Sequence, residues 1–229
     1  MALILSIETS TPICSIALHQ DGILIDSESI EVPGAHSERL MTMIQQLLER
    51  NEFQAEVLDA IAVSEGPGSY TGLRIGVSTA KGLAFAWDLP LIGISTLKIL
   101  AIAAKSRISD NAYIVTLLDA RRMEVFHQVF NQDLKSIVSL GSALIDKDSY
   151  HEILKERPTY FVGDGVEKVS QIISHVNATF LDTKIDAIHM GILAFEKFER
   201  GEFVNLAYFA PNYLKEFKAL QAKKNPLLS

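Results

Sequence analysis

Apolar and polar positions alternate with period two over the first thirty or so residues, then give way to apolar stripes at helical spacing. Residues 3–7 are a short β-rich run, Thr9-Ser10-Thr11-Pro12 carries turn chemistry, and residues 14–18 resume the strand. Asp21-Gly22 is a hairpin signal, and residues 23–32 alternate with a polar middle that suits an edge strand. The chain thus opens as three antiparallel strands. Pro33-Gly34 closes that sheet, and Ser37 is placed to cap a helix starting near Glu38. Leu40, Met41, Ile44, Leu47 and Leu48 follow as one apolar stripe. Residues 58–64 are apolar on both faces, like a buried parallel strand. A glycine loop, residues 65–72, leads into a helix over 73–87, a strand at 91–94 and a helix at 96–104. The order is β-β-β-α-β-α-β-α.

The same rhythm then restarts. Strands are expected at 112–119, 124–130 and 137–143, a helix at 149–155, and a strand at 160–162 ending in Gly163-Asp164-Gly165. A helix at 169–174, a small strand at 179–181 and a helix at 188–200 follow. Beyond Pro211-Asn212 comes a last helix, 213–223, which could fold back on the first domain. Two related α/β domains, 1–105 and 106–229, are the expected architecture, although no repeat is visible letter by letter.

Composition narrows the class. Nearly half of the 229 residues are hydrophobic, enough for a substantial core, yet no run of ~18 apolar residues could span a bilayer. The first residues lack the basic region of a signal peptide, and the single Cys14 excludes an internal disulfide framework or a cysteine-built zinc site. A cytoplasmic protein fits. The net charge of −7 makes a poor solitary nucleic-acid binder, although Lys215, Lys218, Lys223 and Lys224 give the tail a local positive excess.

Four stretches carry candidate chemistry. Gly66-Pro67-Gly68 between a strand and a helix puts backbone N–H groups at a helix N-terminus, which favours an anion; a tight turn is the alternative. The loop lacks the lysine of a P-loop and the spacing of a dinucleotide fold. Gly68, Gly72, Gly76, Ala80 and Ala84 recur every four residues and would admit another helix closely, from this chain or from a partner. Glu8 with Thr9 and Ser10 could grip phosphate or metal, or form a well-bonded turn. The six histidines, His19, His36, His127, His151, His175 and His189, contain no pair one helical turn apart, so no helix face offers two metal ligands. His36, beside Ser37, is expected to serve near the helix cap.

Several of these stretches, taken in order, resemble the TsaB (YeaZ) family. They are residues 4–11 with 14–18, the run Gly66-Pro67-Gly68-Ser69-Tyr70-Thr71-Gly72-Leu73-Arg74-Ile75-Gly76 with residues 80–84, Asp119-Ala120-Arg121 with Glu124-Val125-Phe126, Gly163-Asp164-Gly165, and Pro211-Asn212-Tyr213-Leu214. The resemblance implies an actin-like (ASKHA, ribonuclease H-like) fold of two related α/β domains. It implies a subunit without catalytic residues that supports a homologous catalytic partner, TsaD, together with the ATPase TsaE. The product would be threonylcarbamoyladenosine at position 37 of tRNAs reading ANN codons. ATP and metal would belong to the partners, tRNA would be reached through the complex, and the chain alone would form a homodimer. The catalytic relative holds metal with a His-x3-His pair, where this chain has His36 and Leu40. An independent actin-like ATPase, a glycoprotease-type metallopeptidase and a sugar- or acetate-kinase relative are the competing readings. On the leading one, Leu40, Met41, Ile44, Gly72, Leu73, Gly76 and Ala80 form the partner interface. Thr9, Ser10, Gly66, Gly68, Gly163 and Gly165 are then the candidate phosphate contacts.

Overall fold

The computed structural model describes residues 1–32, 34–109 and 111–214. The expected helix at 213–223 and the tail lysines therefore lie outside the described residues, apart from Tyr213 and Leu214, which follow an irregular segment.

The first half contains strands β1 (Leu3–Glu8), β2 (Cys14–Gln20) and β3 (Ile23–Ile30), then α1 (Ala35–Arg50), β4 (Ala60–Gly66), α2 (Tyr70–Ala86), β5 (Leu91–Ser95) and α3 (Thr96–Lys105). The second half contains β6 (Tyr113–Asp119), β7 (Glu124–Phe130), β8 (Ser136–Leu144), α4 (His151–Glu156), β9 (Thr159–Val162), α5 (Val166–Ser170) and β10 (Ala178–Leu181), followed by α6 (Gly191–Glu199). The first sheet has the order β3-β2-β1-β4-β5 and the second, read in the same sense, β8-β7-β6-β9-β10. In each, the opening meander is antiparallel and the two crossover strands pair in parallel. This is the duplicated actin-like arrangement, and the repeat hidden in the letters is plain in the topology.

Alternation along the strands builds five layers, because successive side chains leave a strand on opposite faces. Leu5, Ile7, Ile16, Ile61 and Val63 meet Leu40, Ile44 and Leu47 of α1 and Val77, Ala80 and Leu83 of α2. From the other face, Ile4, Ala62 and Ile92 meet Leu97, Leu100 and Ala101 of α3 and Leu193 and Ala194 of α6, which also contact Ile114, Phe126 and Phe130 of the second sheet. The far side of that sheet buries Val115, Leu117 and Phe161 under α4 and α5. The middle helical layer is thus shared by both halves. Residues beyond α6 return to the first half, where Val204 N–H donates to Leu91 O at 2.9 Å and Asn212 N–H to Glu65 O at 2.7 Å. Among the described residues, no helix is long and apolar enough to cross a membrane.

Several boundaries differ from expectation for local reasons. Helix α1 begins at Ala35 because Gly34, at φ 79°, turns the chain into it. Ser37 therefore lies within the first turn and donates to Gly34 O rather than capping. Helix α5 starts three residues early. Helix α6 starts three residues late, behind a 3-10 turn at Ala187–His189. Gly191 sits against the His19 ring, and a side chain there would collide with it.

Leu100, fully buried in the shared layer, offers a test of that architecture. Leu100→Ala is expected to cost about 2–5 kcal/mol. In urea, the fluorescence of the single Trp87 and the far-UV circular dichroism should be lost in one coincident transition. Separate transitions for the two signals would mean that the halves do not share a core.

Candidate functional site

Strand β1 ends in Glu8, and the turn that follows lies against the start of α2. Ser69 N–H donates to Ser10 O at 2.7 Å, Thr9 Oγ1 donates to Gly72 O at 2.9 Å, and Ser69 Oγ caps the helix by accepting from Gly72 N–H at 3.2 Å. Thr9 and Ser10 are buried. A Cβ on Gly68 would strike Ser10 O, one on Gly72 would strike Thr9 O, and one on Gly76 would strike Thr9 Oγ1. The glycines every fourth residue therefore form a notch, and the chain's own β1–β2 turn occupies it.

This overturns part of the expected partner interface. Leu40, Ile44, Leu73 and Ala80 are at most 1 % exposed and pack in the core of the first half. Gly72 and Gly76 face Thr9 rather than another molecule. Of the named interface residues, Met41 alone is exposed, at 52 %. The helical period accounts for it: Met41 lies about 100° round the helix from Leu40 and points away from the sheet. The expected anion site changes in the same way. Ser10 O accepts from Ser69 N–H and lies where a Cβ on Gly68 would be, and Thr9 Oγ1 is used on Gly72 O. Gly66, at φ 106°, lies against Asn212 O and the Leu73 side chain. Gly163 and Gly165 pack on Leu117, and the Gly165 N–H donates to Leu117 O at 3.3 Å.

Below the turn lies a cluster that sequence reasoning missed in part. Glu8 Oε1 accepts from Ser10 N–H at 2.6 Å. Glu8 Oε2, Ser10 Oγ and Ser64 Oγ are buried without a complete hydrogen bond. Burial pushes the Glu8 carboxyl up to about 7, opposed by the Ser10 and Ser64 groups and reinforced by the Asp186 charge. Burial, helped by Glu8, also pushes the Cys14 thiol up to about 11, so that thiol is no nucleophile. Ser64 carried no signal beyond its place in an apolar strand.

The histidines are dispersed. His19, held below its usual value by burial, bonds to Ser6 Oγ at 3.1 Å and Ile188 O at 3.3 Å. His36 lies in the first turn of α1, where its Nε2 bonds to Thr11 O at 2.9 Å, so it ties the helix to the β1–β2 turn rather than capping. His127 Nδ1 bonds to Tyr150 Oη at 2.9 Å. Among the described residues, no three His, Cys, Asp or Glu side chains converge as a metal site would require. A cavity of about 180 Å³ lies between the halves, beside Thr11, Ile13, Leu118, Asp164 and Thr183. That is smaller than the ~300 Å³ at which ordinary ligand pockets begin.

One outward surface remains. On α2 the positions opposite the buried stripe are Thr71, Arg74, Ser78, Gly82 and Phe85, and Phe85 is 81 % exposed. Beside them α1 presents Met41, Thr42 and Gln45. A Cβ on Gly82 would meet nothing within 4 Å. The small-residue stripe was legible in the sequence; the second, outward stripe has the same period at a different phase.

Residues 31–221 match the family model described as TsaD, tRNA N6-adenosine threonylcarbamoyltransferase. The chain is 35% identical over 181 residues to the tRNA threonylcarbamoyladenosine biosynthesis protein TsaB of Bacillus subtilis, covering 77% of each chain. It is 29% identical over 222 residues to the protein of that name from Escherichia coli, covering 93% of this chain and 94% of the relative. The solved structure of YeaZ from Pseudomonas aeruginosa superposes with a TM-score of 0.77 at 28% identity, over 93% of this chain and 100% of that one.

Two outcomes test the notch and the cluster below it. Gly76→Leu is expected to unfold the isolated protein or lower its melting temperature steeply, because the new side chain must displace Thr9. A variant that melts like the parent would show that the notch is not filled. In the unfolded chain Glu8 loses its proton near 4.5 and in the folded chain near 7. Its contribution is therefore complete below pH 4.5 and is lost as the pH rises through 7. Glu8→Gln should gain stability relative to the parent over that window, by roughly 3 kcal/mol at most. Parallel pH–stability curves for the two proteins would contradict the buried acid.

Proposed function

Since this chain belongs to the TsaB (YeaZ) family of tRNA threonylcarbamoyladenosine biosynthesis proteins, we propose that it is a non-catalytic subunit that scaffolds and activates a TsaD-like catalytic homologue, together with a TsaE-like ATPase. The product is threonylcarbamoyladenosine at position 37 of tRNAs reading ANN codons. The chain carries no cofactor of its own; ATP and metal belong to its partners, and the complex works in the cytoplasm.

The observation that carries this reading is the occupied notch. The start of α2 is where an actin-like domain could take a phosphate, and here Thr9 and Ser10 fill it with the chain's own hydroxyls and carbonyls. The β1–β2 turn thereby supports the helix instead of a ligand. The helix in turn presents Ser78, Gly82 and Phe85 outward, next to Met41 of α1. Small residues let a facing helix approach closely, and Phe85 and Met41 supply apolar area at the edges of that approach. A homologue with equivalent helices would complete a four-helix layer. A second copy of this chain would do the same when the homologue is absent, giving a homodimer.

Gly82→Leu and Phe85→Arg are the informative variants, because both positions face solvent in the isolated chain. Each should keep the parental melting temperature within a few degrees, yet fail to co-purify with the catalytic homologue and lower tRNA modification at least tenfold in a reconstituted mixture. Folded variants that still bind the homologue and support full modification would exclude this face as the docking surface.

A further inference from the structure

Two motifs that the sequence singled out have no part in the docking face or in the occupied notch: Asp119-Ala120-Arg121 and Gly163-Asp164-Gly165. The structure joins them into one device at the β6–β7 turn. Asp164, after Gly163 at φ 109°, accepts from Asp119 N–H through Oδ1 at 2.8 Å. Asp119 Oδ1 in turn accepts from Arg121 N–H at 2.6 Å. Lys168 of α5 reaches under the turn, where its Nζ donates to Asp119 Oδ1, Arg122 O and Glu124 O. Ala120 N–H closes the hairpin on Glu124 O at 3.1 Å.

This frame holds two consecutive residues in the left-handed region, Arg121 at φ 69° and Arg122 at φ 53°. Hairpins ordinarily place Gly, Asn or Asp at such positions, because a longer side chain is strained there. Here both are arginines and both are exposed. Neither guanidinium has a partner among the described residues. Five of the other six arginines are used on the chain itself: Arg50 on Asp26 and Glu28, Arg74 over Tyr70, Arg107 on Asp182 O, Arg157 on Asn111 and over Tyr113, and Arg200 beside Glu196 and Glu202; the sixth, Arg39, is exposed on the regular helix α1, where no left-handed backbone sets its direction. A strained, braced turn that projects two guanidinium groups with no partner among the described residues is suited to present them.

We propose that the β6–β7 turn contacts the RNA backbone, with the guanidinium groups of Arg121 and Arg122 gripping phosphodiester oxygens of the tRNA. The inference rests on the tRNA-modifying role proposed above. Guanidinium forks match phosphate oxygens in pairs. The tip is narrow and, beyond Met123, offers little apolar area, whereas a protein interface needs a broad patch with an apolar centre. That kind of surface lies in the other half of the molecule, around Met41 and Phe85. The chain as a whole is acidic, at −7, so its general field repels RNA. A contact from this subunit must then come from fixed local cations, and the turn supplies two.

The test measures tRNA affinity of the assembly reconstituted with the catalytic homologue and the ATPase, as a function of salt, for the parent, for Arg121→Ala with Arg122→Ala, and for Arg121→Lys with Arg122→Lys. Neither side chain supports the fold, so melting temperatures should match. The double alanine variant is expected to bind tRNA roughly tenfold more weakly at low salt. Its log–log salt slope should be shallower by about 1.5, as the loss of two phosphate contacts requires, and the double lysine variant should retain most of the slope. Unchanged affinity and slope for the alanine variant would overturn the inference while leaving the functional reading intact. So would loss of co-purification with the homologue at unchanged tRNA affinity, which would make the arginines a protein contact. A parental assembly that neither binds nor modifies tRNA would remove the functional reading itself, and this inference with it.

Discussion

The insertion of the Thr9-Ser10 turn into the glycine notch of α2 is the contact on which the rest of the first half depends. It fixes the start of α2 through Ser69 N–H and Thr9 Oγ1 and ties α1 to the same turn through His36. It also closes the lid over Glu8, Ser10 and Ser64. Each glycine is required because a backbone or hydroxyl oxygen occupies the place of its missing side chain. The N–H of Ser69, at the start of α2, is thus spent on the chain's own turn. The two outer helices held by this turn leave Met41 and Phe85 exposed.

The duplicated architecture makes the contrast sharper. Strands β1 and β6 hold the same place at the centre of their sheets, and each ends in a carboxylate followed by a hairpin turn. In the first half that turn is buried and the carboxylate, Glu8, is sealed and pushed toward neutrality. In the second half the turn is exposed, and the carboxylate, Asp119, is half exposed and paired with Lys168. The same topological position is thus buried against helices in the first half and exposed in the second. The two halves nonetheless share one core, since α3 and α6 bury their apolar residues against both sheets.

Most of the fold was legible in the chain because period-two and period-3.6 patterns are local. The three-strand openings, the buried parallel strands and the order of helices follow from such patterns. The failures share one physical cause, which is contact between residues far apart in sequence. The stripe Gly72, Gly76, Ala80 shows that something must approach α2 closely. Nothing local says that it is a turn some sixty residues earlier rather than a partner helix. Leu40 and Met41 read as neighbours on one apolar stripe, and only the position of the sheet shows that the first is core and the second surface. Glu8 stands out in the sequence beside Thr9 and Ser10, but Ser64 does not, and the two become one buried polar cluster only when β1 and β4 pair.

On the proposed function, this chain activates a homologous enzyme and does no chemistry alone. The most direct measurement is the rate of threonylcarbamoyl transfer to tRNA at a fixed concentration of the catalytic homologue and ATPase, while this chain is added in steps. The expected result is no transfer by this chain alone, and a rate that rises with it and levels off at a fixed ratio of the two homologues. Transfer by the purified chain in isolation, or a catalytic homologue already at full rate without it, would contradict the claim.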